Sequence, residues 1–155
     1  MDYKNAARVF SILDRRSQNY IVLACEKLQL TFLEYLLLRN LYDNEGIRQE
    51  DMAALMSVDK AVVARTIKLL EAKDLVRRVQ GQRDKREKCI YVTEAGKAQE
   101  VFLRDIVRRW IDYLTDGLEP AAFKALLQSF SQLAARAQSA DFDRILTQKN
   151  FSDKK

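Results

Sequence analysis

Apolar residues recur at helical spacing along most of this chain, and the rhythm changes once, between residues 75 and 92. Val9, Ile12, Leu13, Tyr20, Ile21, Leu23 and Ala24 predict one long helix over residues 6–27, its apolar face interrupted by Arg15-Arg16-Ser17-Gln18-Asn19. A second helix begins at Thr31, with Glu34 three residues on to complete a capping box. Its apolar residues Phe32, Leu33, Tyr35, Leu36, Leu37, Leu38 and Leu41 occupy almost every face, which predicts burial nearly all round. Asp43-Asn44-Glu45-Gly46 ends it, and Ile47 is placed in a short strand against the hairpin edge.

Two closely spaced helices come next. Gln49 to Met56 carries Met52, Leu55 and Met56 inward, Ser57-Val58 forms the turn, and Asp59 caps a helix reaching Lys73. Val63, Ile67 and Leu70 give that helix a core stripe, leaving Lys60, Ala61, Ala64, Arg65 and Lys68 outside. Leu75-Val76-Arg77-Arg78 and Lys88-Cys89-Ile90-Tyr91-Val92 then read as hairpin strands around a polar tip, residues 80–86. Thr93-Glu94-Ala95-Gly96 opens a long helix through Val101, Phe102, Ile106, Trp110 and Leu114. After the break at Asp116-Gly117-Leu118-Glu119-Pro120, a further helix to about Ala140 presents Phe123, Leu126, Leu127, Phe130, Leu133 and Ala134. Phe142, Ile145 and Leu146 keep helical spacing before a polar end.

The expected fold is therefore mainly α (α+β), a single domain of 155 residues in which Gly46–Gly96 forms a helix-turn-helix with an attached hairpin. Such a unit fits a DNA major groove and the minor groove beside it. Composition narrows the alternatives: 48% apolar and 32% charged residues with four Gly and one Pro suit a soluble helical protein. No apolar run approaches the roughly 20 residues of a membrane span. The N-terminus lacks a signal-peptide layout, so the expected compartment is the cytoplasm, with no membrane partner. Cys25 and Cys89 make no metal-like spacing and histidine is absent, so neither a metal nor a cofactor is expected and no enzyme is proposed.

Of the net charge of +5, residues 47–92 account for +4, with eleven basic against seven acidic side chains. The excess sits where phosphate neutralisation would need it.

The middle of the chain resembles the MarR family of winged-helix regulators. The segments that carry the likeness are residues 47–55, Lys60-Ala61-Val62-Val63-Ala64-Arg65, residues 69–78, the wing motif Arg83-Asp84-Lys85-Arg86, and Ile90-Tyr91-Val92-Thr93-Glu94-Ala95-Gly96. The pattern departs at Asp74, where glycine is usual after the recognition helix, and in a missing proline before the wing aspartate. The resemblance implies a homodimer whose dimerisation region is formed by helices in residues 1–45 and 97–155, around a DNA-binding lobe at 46–96. It implies a transcriptional regulator, taken as a repressor, that binds double-stranded DNA at a pseudo-palindromic operator. Its affinity would respond to a small anionic, aromatic or phenolic effector. Two alternatives stand beside this: redox sensing through Cys25, and a winged-helix module for protein assembly without DNA contact.

The candidate DNA contacts are Ser57, Lys60, Ala61, Ala64, Arg65 and Lys68 on the helix pair, Arg77 on the hairpin, and Arg83, Asp84, Lys85 and Arg86 at its tip. Arginine reads guanine by a forked contact, lysine more often meets phosphate, and the small alanines admit a thymine methyl. Arg86 is the sharpest choice, a cation for a narrow minor groove with Asp84 positioned to hold it. Arg48, Arg78 and Lys88 are placed along the phosphates, with Gln49. Thr31 is read as a cap first. For the effector, Arg16, Tyr20, Tyr35, Arg39 and Phe102 are the expected lining, between the first two helices and the long helix after the hairpin. Cys25 lacks a neighbour that would activate it and is read as a buried small hydrophobe, as is Cys89.

Overall fold

A computed structural model describes residues 2–80 and 87–147, and these divide between residues 114 and 115 into two compact units. The first unit begins with helix α1, Tyr3–Ala24, whose N-cap Asp2 accepts the Asn5 N–H at 3.0 Å. A 3-10 turn, Glu26–Leu28, comes after it, so the single helix expected to residue 27 tightens at its end. Within α1 only Ile21 is buried, while Val9 and Ile12 are exposed and Leu23 is 71% exposed. Helix α2, Phe32–Asp43, starts on the expected capping box: the Thr31 hydroxyl accepts the Glu34 N–H and the Glu34 carboxylate accepts the Thr31 N–H. Tyr35, Leu37, Leu38 and Leu41 are buried, making α2 the central element of the core.

Helices α3 (Gln49–Met56) and α4 (Lys60–Ala72) form the helix pair, and strands β1 (Val76–Gln80) and β2 (Lys88–Val92) the hairpin. The strands are antiparallel in the register Val76–Val92 to Gln80–Lys88. The expected third strand is one isolated bridge, between Arg48 and Cys89. In α3 the inward residues are Met52 and Ala53, whereas Leu55 is 41% exposed, contrary to expectation. A two-turn helix buries one narrow stripe, and at 100° per residue positions 52, 53 and 56 share it while 55 falls outside.

The long helix expected from Thr93 is divided into α5 (Glu94–Lys97) and α6 (Glu100–Leu114). At the division the Gln99 N–H bonds the Gly96 carbonyl, three residues back rather than four, and the same carbonyl accepts the Tyr42 hydroxyl at 2.8 Å. In α6 the core residues are Leu103 and Ile106, whereas Val101, Phe102 and Leu114 are exposed. Trp110 ties α6 to α1, donating to the Ser17 hydroxyl at 2.8 Å and stacking on Tyr20 at 4.9 Å between ring centroids.

In the second unit Gly117 has a positive φ of 77° and Pro120 occupies the first turn of helix α7, Pro120–Gln138. No residue of α7 is buried; Leu126, Leu127 and Leu133 on its apolar stripe are exposed. A short helix α8, Phe142–Thr147, completes the unit's described residues. No helix among the described residues is long and apolar enough to cross a membrane.

Candidate nucleic-acid interface

The turn between α3 and α4 is set by Ser57, which adopts a left-handed φ of 52°. The Val58 N–H reaches the Ala53 carbonyl at 3.1 Å and the Ser57 N–H the Ala54 carbonyl at 3.1 Å, the paired bonds that close a helix end. Asp59 then caps α4, its carboxylate accepting the Ala61 N–H at 2.7 Å. The end of α3 and the start of α4 are thus both satisfied at the turn. Val63, Thr66, Ile67 and Leu70 are buried along one side of it.

The opposite side carries the residues named from sequence. Lys60, Ala61, Arg65 and Lys68 are exposed and Ala64 is half-buried beside them. Lys60 is paired with Glu50 at 3.1 Å, but both side chains are at least 70% exposed, so water and salt weaken the pair. Among the described residues, no carboxylate pairs with Arg65 or Lys68. Ser57 and Lys60 border an open notch of about 340 Å³ at the turn.

The hairpin divides its cations differently. Arg77 is exposed, and its guanidinium carbon lies over the Tyr91 ring, 5.2 Å from the centroid. Arg78 instead folds back onto Glu71 of α4, donating Nε at 3.0 Å and Nη2 to the carboxylate. Its side chain lowers the Glu71 pKa by hydrogen bonding, against the opposing effect of partial burial. Arg48 is held by Asp51, with Nε at 2.6 Å, and by Glu87, with Nη1 at 3.1 Å. These two arginines, placed along phosphates by their charge, are occupied by carboxylates that sequence spacing alone did not reveal. The candidates Arg83, Asp84, Lys85 and Arg86 lie outside the described residues.

Over residues 30–88, the segment that contains this helix pair and the first strand of the hairpin, the chain matches the model of the MarR family. This segment is similar to the MarR family. A curated relative, the uncharacterized HTH-type transcriptional regulator YybA of Bacillus subtilis (strain 168), is 38% identical over 77 residues. That match covers 50% of this chain, which spans about half (51%) of the relative's length. The crystal structure of a MarR transcriptional regulator from Methanosarcina mazei Go1 superposes with a TM-score of 0.81 at 25% identity, covering 86% of this chain and 96% of that one. The same fold recurs at 19% identity in a MarR family regulator from Listeria monocytogenes complexed with 26mer DNA, with a TM-score of 0.84 over 93% of this chain and 96% of that one.

The five residues expected to line an effector pocket are not gathered alike. Tyr35 is fully buried, its hydroxyl without a hydrogen-bond partner among the described residues. Burial pushes its pKa up, while the charge of nearby Arg39 opposes and Tyr20 and Cys25 add to the rise. Tyr20, Tyr35 and Arg39 thus share one region. Arg16 is exposed on α1, and Phe102 lines a shallow groove of about 590 Å³ with Val101, Arg104, Asp105 and Arg108. Cys25 is fully buried and burial pushes its thiol up to about 11, so it stays protonated near neutrality. That is the reverse of the low pKa a redox sensor needs.

Proposed function

We propose that this chain is a MarR-family transcriptional regulator that binds a pseudo-palindromic duplex as a homodimer in the cytoplasm, acting as a repressor. The observation that carries the reading is the outer side of α4. There Lys60, Ala61, Arg65 and Lys68 stand exposed on a helix whose other side is locked into the core. Arg65 is assigned to base recognition and Lys60 and Lys68 to phosphates, with Ala61 and Ala64 allowing close approach. Ser57 is placed at the notch edge, Arg77 beside the groove, and Arg83, Lys85 and Arg86 at the wing, with Asp84 orienting Arg86. A small anionic or phenolic effector is assigned to the region of Tyr20, Tyr35 and Arg39, with Arg16 and Phe102 at its approaches.

The test is a titration of duplex DNA across a range of salt concentrations, using sites selected from random sequence. Each neutralised phosphate contributes a slope of about −0.9 in log affinity against log salt, so a steep dependence is expected. Duplex binding that is absent, or indifferent to salt, would overturn the reading in favour of a protein-assembly module. Candidate phenolic acids added to the same titration should shift the midpoint if the effector assignment holds.

A further inference from the structure

The hairpin is tied down on both outer edges at the same rung. Across the ladder Arg78 pairs with Ile90. On the outer side of β2, the Ile90 N–H donates to the Ile47 carbonyl at 2.9 Å and its carbonyl accepts the Gly46 N–H at 2.8 Å. On the outer side of β1 there is no such strand among the described residues. There the backbone N–H of Arg78 donates to Glu71 Oε1 at 3.2 Å, and the Arg78 side chain closes on the same carboxylate through Nε and Nη2. One carboxylate thus satisfies three donors of a single residue, and both side chains are partly shielded, at 23% and 28% exposure.

Glu71 belongs to the last turn of α4, the helix assigned to the major groove. The Glu71–Arg78 contact therefore links that helix to the strand that leads into the wing. Beyond the anchored rung the ladder runs two pairs further, Val79–Cys89 and Gln80–Lys88. Arg48 supports the other side, bridging Asp51 at the start of α3 to Glu87 at the foot of β2.

We propose that Glu71 and Arg78 are positioning residues for DNA binding, which fix the direction of the wing relative to the recognition helix. Arg78 then acts through Glu71 and not on phosphate, and an acidic residue in a basic lobe strengthens DNA binding. The inference rests on the DNA-binding reading above. Charge alone predicts the opposite sign for Glu71, because removing a carboxylate from a DNA-binding surface raises affinity for a polyanion. The fork of arginine also matters, because lysine carries the same charge without the paired, planar donors.

The experiment uses the full chain, its Glu71→Gln and Arg78→Lys variants and the double variant, with a duplex selected by the unaltered protein at fixed salt. Affinity is measured together with hydroxyl-radical protection of the minor groove and methylation protection of guanine N7 in the major groove. Each single variant is expected to bind about tenfold more weakly, and the double variant no worse than the weaker single, as for a coupled pair. Minor-groove protection should be lost while major-groove protection persists, a split that general loss of folded protein would not produce. Arg78→Lys carries the test should Glu71→Gln not fold. Affinity of the single variants equal to or above that of the unaltered protein, or parallel loss of both protections, would overturn the positioning role alone. Absence of salt-dependent duplex binding by the unaltered protein would instead overturn the DNA-binding reading, and the positioning role with it.

Discussion

Gly96 fixes the junction between the hairpin and helix α5 at a single position. A Cβ built there would lie 2.2 Å from the Leu75 carbonyl oxygen and 2.7 Å from Val92 Cγ1, and the first of these is backbone that cannot swing aside. The Thr93 hydroxyl secures the same junction, donating to the Asp74 carbonyl and accepting the Gly96 N–H at 3.0 Å. Gly96→Ala should therefore destabilise the fold by roughly 2 kcal/mol or more, in the range of overpacked sites, read as a lower urea midpoint. Sequence points to a helix start at Thr93 but not to the reason glycine stands at 96, because the clash comes from Leu75, far back along the chain. Asp74 is the converse case. Its place after α4 requires a left-handed residue, and it adopts a φ of 55° while the Leu75 N–H bonds the Leu70 carbonyl at 3.0 Å. Aspartate tolerates that region better than most residues, which is why the departure from glycine leaves the helix end intact.

At the scale of elements, the first turn of α2 and the C-cap of α4 are joined by a partly buried ion pair. Lys73 Nζ lies 2.7 Å from Glu34 Oε1 and 2.6 Å from the Gln29 carbonyl. Burial raises the Glu34 pKa, but the hydrogen bonds from Lys73 and from the Thr31 N–H and hydroxyl outweigh it, so the net direction is down. A carboxylate with a lowered folded pKa contributes stability above its unfolded value, and that stability is lost as pH falls through the folded value. Glu34→Gln should cost about 1.5–3 kcal/mol near neutrality, the range for a hydrogen bond to a charged group, and flatten the acid limb of stability against pH. Denaturant midpoints from near neutrality down into the acid range measure both; an acid limb as steep as in the unaltered protein would sink the assignment. Half of this contact is legible in the sequence. The Thr31–Glu34 capping box comes from local spacing, whereas Lys73 arrives from 39 residues away and no local pattern announces it.

For the whole molecule, the order of elements through the hairpin is readable because each carries its own punctuation: the Thr31 and Asp59 caps, the Gly46 turn and the strand alternation. The hidden features are the pairings that depend on tertiary placement, such as Glu71 with Arg78, and the face that α6 buries. The apolar stripe of α7 is also legible, yet in this chain Leu126, Leu127 and Leu133 stay exposed. An amphipathic helix of 19 residues with no buried side chain leaves apolar surface in water that a second copy would cover. If the proposed homodimer forms through these helices, the unaltered protein should sediment at twice the 18.0 kDa of one chain. Leu127→Arg combined with Leu133→Arg should shift it to a single chain without unfolding α1–α6. Two lobes held together bind two half-sites with a gain of about 10²–10⁴ over one, so the same variant should lose most of its affinity for a full operator. Its affinity for an isolated half-site should change little. A double variant that still sediments as a dimer would move the interface away from α7, and one that separates yet keeps full operator affinity would remove the need for a dimer.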